Sequence, residues 1–349
     1  MICAILFNPG HSRVYFETSL RLAVSELAII AGGLSENCAA DNIRRETICG
    51  AEYLFFETEN LSRDDLKILY GLSFVYAIFA AEKIGGEIYF KPLENAREPF
   101  IDESFGVILK YSGKTNEIFT RMMLNIAKSS LGNNHGALKI LDPVAGKGTT
   151  LYEAFVMGHD AYGIEIADSV ANEARHFVKK FFETAKYKFE FNEIRISGPD
   201  RTFSAKRYTF TAAKNKADVK NGEVRTLEIV AGNSVYADKI YKKNFFDIIA
   251  GDLPYGVQHG NVTKEKQSSL TRNPSELLSA CLPSWSAVLK PGGVIILSWN
   301  TNVLPVNKMR ELLTSAGFLI KNGGAYDNFA HRVDQSITRD LIIGVKKTP

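Results

Sequence analysis

Asp142-Pro143-Val144-Ala145-Gly146-Lys147-Gly148-Thr149 follows the apolar run Leu138–Leu141. A strand that ends on a carboxylate and turns through two glycines into a helix is the opening move of a parallel α/β sheet. Gly146 and Gly148 remove side chains, so the chain can turn tightly and bare backbone can approach a ligand. Thr149 is placed to cap the helix that starts there. A lone GxG is also common in loops that hold nothing, so the stretch needs support from its surroundings.

That support is Glu165, 17 residues after Gly148, closing the next strand Tyr162-Gly163-Ile164-Glu165. A carboxylate at that strand end can accept hydrogen bonds from both hydroxyls of a ribose. The dinucleotide fingerprint needs a third glycine, and Thr149-Thr150-Leu151 stands in its place. Nothing therefore demands a pyrophosphate. The expected cofactor is S-adenosylmethionine (SAM), held by Asp142, Ala145, Gly146, Gly148, Thr149 and Glu165. Asn233, after Ala231-Gly232, stands where an adenine amino group would be read; an Asn that only forms a turn is the alternative.

Working outward, strands and helices alternate from Asn116 onward. Strands are expected at Leu138–Val144, Ala161–Ile166, Leu227–Gly232, Phe245–Asp252, Gly293–Trp299, Phe318–Gly323 and Leu341–Val345. Helices are expected at Thr149–Met157, Ser169–Phe182, Pro274–Val288 and Val306–Ala316, preceded by an amphipathic one carrying Phe119, Met122, Met123, Ile126 and Ala127. Only a loop-like stretch separates the last two strands, so the final one enters antiparallel. The result is a Rossmann-like sheet of six parallel strands plus an antiparallel seventh, the sheet of class I SAM methyltransferases. Residues 187–224 fall outside this plan and read as a β-hairpin insertion.

Residues 1–115 form a smaller α+β domain ahead of the catalytic domain at 116–349. Ile2–Phe7, a helix over Thr18–Ala31, strands at Arg45–Cys49 and Tyr53–Glu57, a helix over Arg63–Tyr70 and the run Leu72–Ala80 give β-α-β-β-α-β, the ferredoxin-like order. Phe105–Tyr111 is the clearest strand of the connection that follows.

The second informative stretch is Asp252-Leu253-Pro254-Tyr255-Gly256, after the apolar run Phe245–Ala250. An aromatic amine is a poor nucleophile because its lone pair is delocalised into the ring. Hydrogen bonds from that amine to the Asp252 carboxylate and to the Leu253 carbonyl would favour a pyramidal nitrogen. Pro254 makes the carbonyl's direction rigid. Tyr255 offers a face for a flipped base, a stack worth about 1–3 kcal/mol. The alternative is a plain strand-ending turn. A cytosine-C5 methylase would need a cysteine near this loop, and Cys281 lies in a helix well beyond it.

With 349 residues, 45% hydrophobic and 23% charged, the composition is that of an ordinary globular chain. No apolar run reaches the roughly 20 residues needed to span a bilayer, and the N-terminus lacks a basic leader. Cys3, Cys38, Cys49 and Cys281 have no metal-ligand spacing. A reduced cytoplasmic enzyme without a metal is expected; the oligomeric state is not legible. The net charge of +3 does not argue for nucleic acid. The segment Lys186–Arg225 does somewhat, with ten basic and five acidic residues. Such a patch can meet phosphates, or it can be a solvated hairpin.

Asp142–Thr149, Asp252–Val257 and Arg121-Met122-Met123-Leu124-Asn125-Ile126-Ala127 together resemble the RNA methylase family that includes tRNA (guanine-N2) methyltransferases acting at position 10. The resemblance covers residues 116–345. It implies a SAM-dependent methyltransferase acting on an exocyclic amino group of a base in RNA, guanine N2 in tRNA above all. Asp252, Leu253, Pro254 and Tyr255 would be its catalytic loop and RNA its partner. The family usually has Asp-Pro-Pro-Tyr and an acid where Asn233 stands; its tRNA-gripping THUMP domain is not complete in the first 115 residues. A DNA adenine-N6 or cytosine-N4 methyltransferase satisfies the same loop. A non-catalytic RNA-binding protein that kept the fold is the alternative from another class.

Overall fold

The computed structural model describes residues 1–9, 13–35, 40–107, 115–132, 136–198, 202–256 and 273–348. The chain divides into two units. One comprises Met1–Glu98, Arg121–Asn133 and Asn322–His331, the other Pro99–Thr120, Asn134–Lys321 and Arg332–Pro349.

The first unit is built on alternation. In β1 (Ile2–Phe7), Cys3, Ile5 and Phe7 enter one core, while Ile2, Ala4 and Leu6 face the other way. The unit continues with α1 (Arg13–Ala31), β2 (Asp41–Ile48), β3 (Ala51–Glu57), α2 (Arg63–Leu69), β4 (Val75–Ile84) and β5 (Glu87–Pro92). Its sheet runs β2-β3-β1-β4-β5, every pair antiparallel. The first four strands with α1 and α2 have the expected ferredoxin-like order, and β5 extends the β4 edge. Leu20, Leu27 and Ile30 of α1 pack on Leu54, Phe56 and Ile78. Helix α2 starts at a capping box in which the Ser62 hydroxyl and the Asp65 carboxylate satisfy each other's backbone N–H. The strand expected from Leu72 begins later, at Val75, because Leu72 and Phe74 are used in the turn to fill the core.

Two short elements follow, α3 (Ser104–Val107) and α4 (Glu117–Ser130). Phe105 is therefore helical, not the start of a strand, and residues 108–114 lie outside the described ones. The physical cause is local: Asp102 Oδ1 accepts from Ser104 N at 2.8 Å, which starts a helical turn. Phe105 then packs on Tyr152, Phe177 and Phe181. In α4, Asn125 donates to the buried Glu26 carboxylate and to the Gly71 carbonyl, so this residue of the upstream motif serves the first unit's core.

The second unit's strands are β6 (Lys139–Asp142), β7 (Asp160–Glu165), β8 (Lys188–Ser197), β9 (Ser204–Ala213), β10 (Arg225–Ala231), β11 (Phe246–Asp252), β12 (Leu289–Asn300), β13 (Phe318–Ile320) and β15 (Thr338–Lys346), the two-residue β14 (His331–Arg332) falling at the division between the units. Its helices are α5 (Thr149–Val156), α6 (Asp168–Thr184), α7 (Lys216–Lys220), α8 (Ala237–Ile240), α9 (Pro274–Val288) and α10 (Val306–Ser315). The order is β13-β15-β12-β11-β6-β7-β10-β9-β8. Five strands, β10, β7, β6, β11 and β12, are parallel neighbours. β15 is antiparallel to both β12 and β13, so β13 runs with the parallel set. Leaving aside β14 and the inserted β8 and β9, six strands share one direction and β15 opposes them, as expected.

The insertion is the hairpin β8–β9, and it does not stand apart. β9 pairs with β10 from Arg225↔Ala212 to Ala231↔Lys206, extending the sheet by two edge strands. Phe189, Phe191 and Phe210 give the reason: Phe189 and Phe210 meet the Phe182 ring of α6, and Phe191 packs on Phe210. The central core joins Leu141, Ile249, Ile295, Trp285, Trp299 and Phe318. β6, flanked by β7 on one side and β11 on the other, marks the reversal of strand order, where ligands of open α/β sheets bind.

Candidate active site

Asp142 ends β6 and is buried, with Oδ1 accepting from Val144 N at 3.0 Å. The chain then turns through Gly146 (φ 52°) and Gly148 (φ 94°). A Cβ on Gly148 would lie 2.8 Å from the Tyr152 ring, whereas one on Gly146 would meet nothing within 4 Å. The loop is thus packed on its inner side and open above Gly146. Gly163 was not foreseen as part of this arrangement. A Cβ there would fall within 2.8 Å of Ala145 and Leu151, so its absence lets the loop lie on β7.

The helix cap differs from expectation. Gly148 is the N-cap of α5 without a side-chain hydrogen bond, and Thr149 is the first helical residue. A left-handed backbone at 148 suits glycine and leaves no extended residue to act as a hydroxyl cap.

Glu165, at the end of β7, clamps the loop. Oε2 accepts from Gly146 N at 2.9 Å and Oε1 from Ala167 N at 2.8 Å. A third backbone N–H, that of Ile166, also bonds the carboxylate, whose roughly four lone-pair sites still leave room for a ligand's hydroxyl. Burial raises the Glu165 carboxyl above the usual range, against these three backbone bonds. Asn233 Oδ1 accepts from Val235 N at 3.0 Å and starts a helical turn, so its side chain already has a local task.

Burial also pushes Asp142 up to about 7; hydrogen bonds from Thr150 and Val144 oppose this, and the charges of Asp252 and Glu165 add to it. Three carboxylates therefore converge at this end of the sheet. A group whose folded value is raised holds its proton more tightly in the folded chain, so stability falls as pH climbs from its ordinary value toward 7. The loss attributable to Asp142 is at most about 4 kcal/mol. Asp142→Asn is expected to melt higher than wild type at pH 8 and to match it at pH 4. Parallel melting curves across that range would refute the assignment.

Asp252 ends β11 in parallel register with Ser298 of β12. Its carboxylate gathers several donors. Tyr255 OH lies 2.6 and 2.8 Å from its two oxygens, Thr115 Oγ1 donates to Oδ2 at 2.6 Å, and Ser298 Oγ donates to Oδ1. Arg339 NH2 stands 3.9 Å from Oδ2. The turn itself is fixed at both ends: Leu253 N donates to Ser298 O at 2.9 Å, and Asn300 Nδ2 donates to Tyr255 O at 3.2 Å. Leu253 is 1% exposed and belongs to the central core, so its side chain is used for packing and only its backbone borders the site. Burial raises the Tyr255 hydroxyl, and the neighbouring Asp252 charge raises it further.

Sequence reading found Asp252 and its loop but missed Thr115, Ser298, Asn300 and Arg339. One signal was present for Arg339. It falls in phase with the buried Leu341 and Ile343 of β15, where a charge is out of place unless paired. Among the described residues no His/Cys/Asp/Glu group could hold a metal, and no helix is long and apolar enough to cross a membrane.

The bound form of SAM has the parts this strand end can hold. Glycine backbone opens above Gly146, a carboxylate with spare lone pairs ends β7, and clustered negative charge suits a sulfonium. The sheet is that of a class I SAM-dependent methyltransferase. The family model that matches residues 110–314 is the RMKL-like methyltransferase domain (UPF0020), and the chain belongs to that family.

Among solved structures, it is similar to TrmN from Thermus thermophilus at 13% identity and a TM-score of 0.39, covering 89% of this chain and 61% of that one. It is similar to the T. thermophilus 16S rRNA N2 G1207 methyltransferase RsmC at 15% identity and a TM-score of 0.35, covering 87% and 57%. Magnesium protoporphyrin IX methyltransferase from Synechocystis follows at 14% identity and a TM-score of 0.37, covering 68% and 87%. Among curated proteins, none matches the sequence significantly.

Proposed function

We propose that the chain methylates an exocyclic amino group of a base in RNA, guanine N2 in tRNA being the specific form of the reading. The observation that carries it is the Asp252–Tyr255 turn at the end of β11, a carboxylate and an aromatic ring held together beside the glycine loop. SAM, when bound, supplies a methyl group already activated on sulfur. The protein's work is then positioning.

Asp252 accepts a hydrogen bond from the substrate amine, and the Leu253 carbonyl accepts a second, leaving the nitrogen lone pair free to attack. Tyr255 OH and the amine compete for the same carboxylate oxygens. Displacement of the hydroxyl lets the ring turn to stack on the base. Asp252 takes the proton late, once the nitrogen has gained the methyl group and become acidic. In the same reading Glu165 holds the ribose, and Asp142, Ala145, Gly146, Gly148 and Thr149 line the cofactor. Asn233 Oδ1 shares its second lone pair with the adenine amino group.

An RNA substrate draws support from the first unit. On the sheet face opposite α1, Tyr53 stacks on Phe90 at 5.1 Å with an interplanar angle of 5°, and Phe55 and Phe79 also meet the Phe90 ring. Aromatic rings on a sheet face are a common platform for unpaired bases.

The test is transfer from radiolabelled SAM to unmodified tRNA, rRNA and DNA. Label on tRNA that digests to N2-methylguanosine is the expected result. Label on DNA alone would replace the substrate with an adenine-N6 or cytosine-N4 target. SAM binding without transfer to any of the three would overturn the reading and favour a non-catalytic RNA-binding role.

A further inference from the structure

Arg339 is a buried cation, 5% exposed, on a strand whose inward positions are otherwise apolar. Its guanidinium carbon lies 4.4 Å from the centroid of the Phe119 ring and 5.3 Å from that of Tyr255, so the planar group packs against both rings. One end reaches Asp252 Oδ2 at 3.9 Å. The backbone that carries it is fixed: Arg339 is the antiparallel partner of Asn300, whose side chain holds the Tyr255 carbonyl. Residues from β12 and β15 thus grip the same turn from two directions.

We propose that Arg339 is a positioning residue for methyl transfer, its guanidinium serving as the fixed counter-charge of Asp252 and as the surface against which the Tyr255 ring is set. The inference rests on the role proposed above for Asp252 and Tyr255 and adds to it. When the amine displaces the Tyr255 hydroxyl, Asp252 loses one of its donors. Arg339 does not move with the substrate, because its position comes from strand pairing and from Phe119. The carboxylate then keeps a cation beside it throughout entry of the base, and the freed ring keeps a flat neighbour. Lysine would preserve the charge without the plane.

Asp252 is faced by Tyr255 of its own turn, by Arg339 of β15 and, more remotely, by Asp142 of β6. Arg339 is the one cation among these.

The experiment uses the full chain and compares wild type, Arg339→Met and Arg339→Lys in SAM affinity, in turnover and KM for unmodified tRNA, and in the Tyr255 ring signals of protein labelled with 13C-tyrosine, assigned by their absence from Tyr255→Phe. Arg339→Met is expected to lower turnover about 100-fold with SAM affinity unchanged, and Arg339→Lys, which restores the charge without the plane, to recover about tenfold of that loss. Both variants should shift the Tyr255 ring signals, since both lose the flat surface against that ring. Wild-type turnover in Arg339→Met overturns the proposal, as do a loss shared equally by SAM affinity and unmoved Tyr255 signals. If Arg339→Met melts too low to assay, Arg339→Lys alone decides, and wild-type turnover in it overturns the proposal. Failure of tRNA to accept label sinks the substrate reading and leaves the Tyr255 signals to judge Arg339 independently.

Discussion

Asp252→Ala is expected to lower methyl transfer about 10³-fold or more while SAM affinity stays within a few-fold of wild type. On the role proposed for Asp252, the magnitude follows from removing one preorganised group aimed at the reacting nitrogen, which typically costs about 10²–10³ in turnover, together with loss of the eventual proton acceptor. Cofactor affinity is spared because the glycine loop and Glu165 are anchored to one another rather than to Asp252. The substitution also removes an acceptor from Tyr255, Thr115 and Ser298 and the counter-charge of a buried arginine. Breaking one side of such a buried pair can cost about 3–5 kcal/mol. Asp252→Asn, which keeps the shape and one acceptor oxygen, guards against reading misfolding as lost chemistry. If both variants bind SAM and still transfer methyl at the wild-type rate, the chemistry lies elsewhere. If Asp252→Asn loses SAM as severely as transfer, the site has been misassigned.

Glu165→Ala is the second large effect, and it falls on the cofactor. SAM affinity is expected to drop about 100-fold. On the role proposed for Glu165, two ribose hydroxyls lose a charged acceptor, each such bond being worth about 1.5–3 kcal/mol, part of which water replaces. Gly146 and Ala167 also lose the carboxylate that holds their N–H groups, so the loop loosens. Glu165→Gln, retaining one carbonyl oxygen, should fall between the two. The pH dependence has a definite sign. Burial raises the Glu165 carboxyl, so wild-type affinity should decline as pH falls through that raised value, and the Gln variant should lack the decline. Calorimetric titration of SAM into each variant checks both points. Unchanged affinity in Glu165→Ala would remove Glu165 from the cofactor site.

The parallel sheet was legible because its strands are fully buried and therefore read as unbroken apolar runs, and because each ends on a residue of distinctive chemistry. Asp142, Glu165 and Asp252 each close a strand, and the strand order brings their ends together. What stayed hidden depends on register. Ser298 lies 46 residues beyond Asp252 and reaches it only because β12 pairs with β11 in one alignment. Arg339 depends in turn on the antiparallel alignment of β15 with β12. No local pattern encodes either pairing. Phe105 failed for a different reason. Its neighbours look like a strand, but the Asp102 cap and a pocket of aromatic rings selected a helical turn. Thr149 failed because the glycine before it took the capping position itself.

The convergence of Asp142, Glu165 and Asp252 has a consequence for turnover. The methyl donor arrives as a cation and leaves, after transfer, as a neutral thioether. On the proposed placement of SAM, a strand end crowded with negative charge is expected to hold the first form better than the second, so that reaction weakens the grip on its own by-product. Because Asp142 gives up its proton only near pH 7, this preference should sharpen as pH rises through that value. The ratio of the two forms' dissociation constants, measured between pH 6 and 8, would reveal it; a flat ratio would mean that discrimination comes from shape.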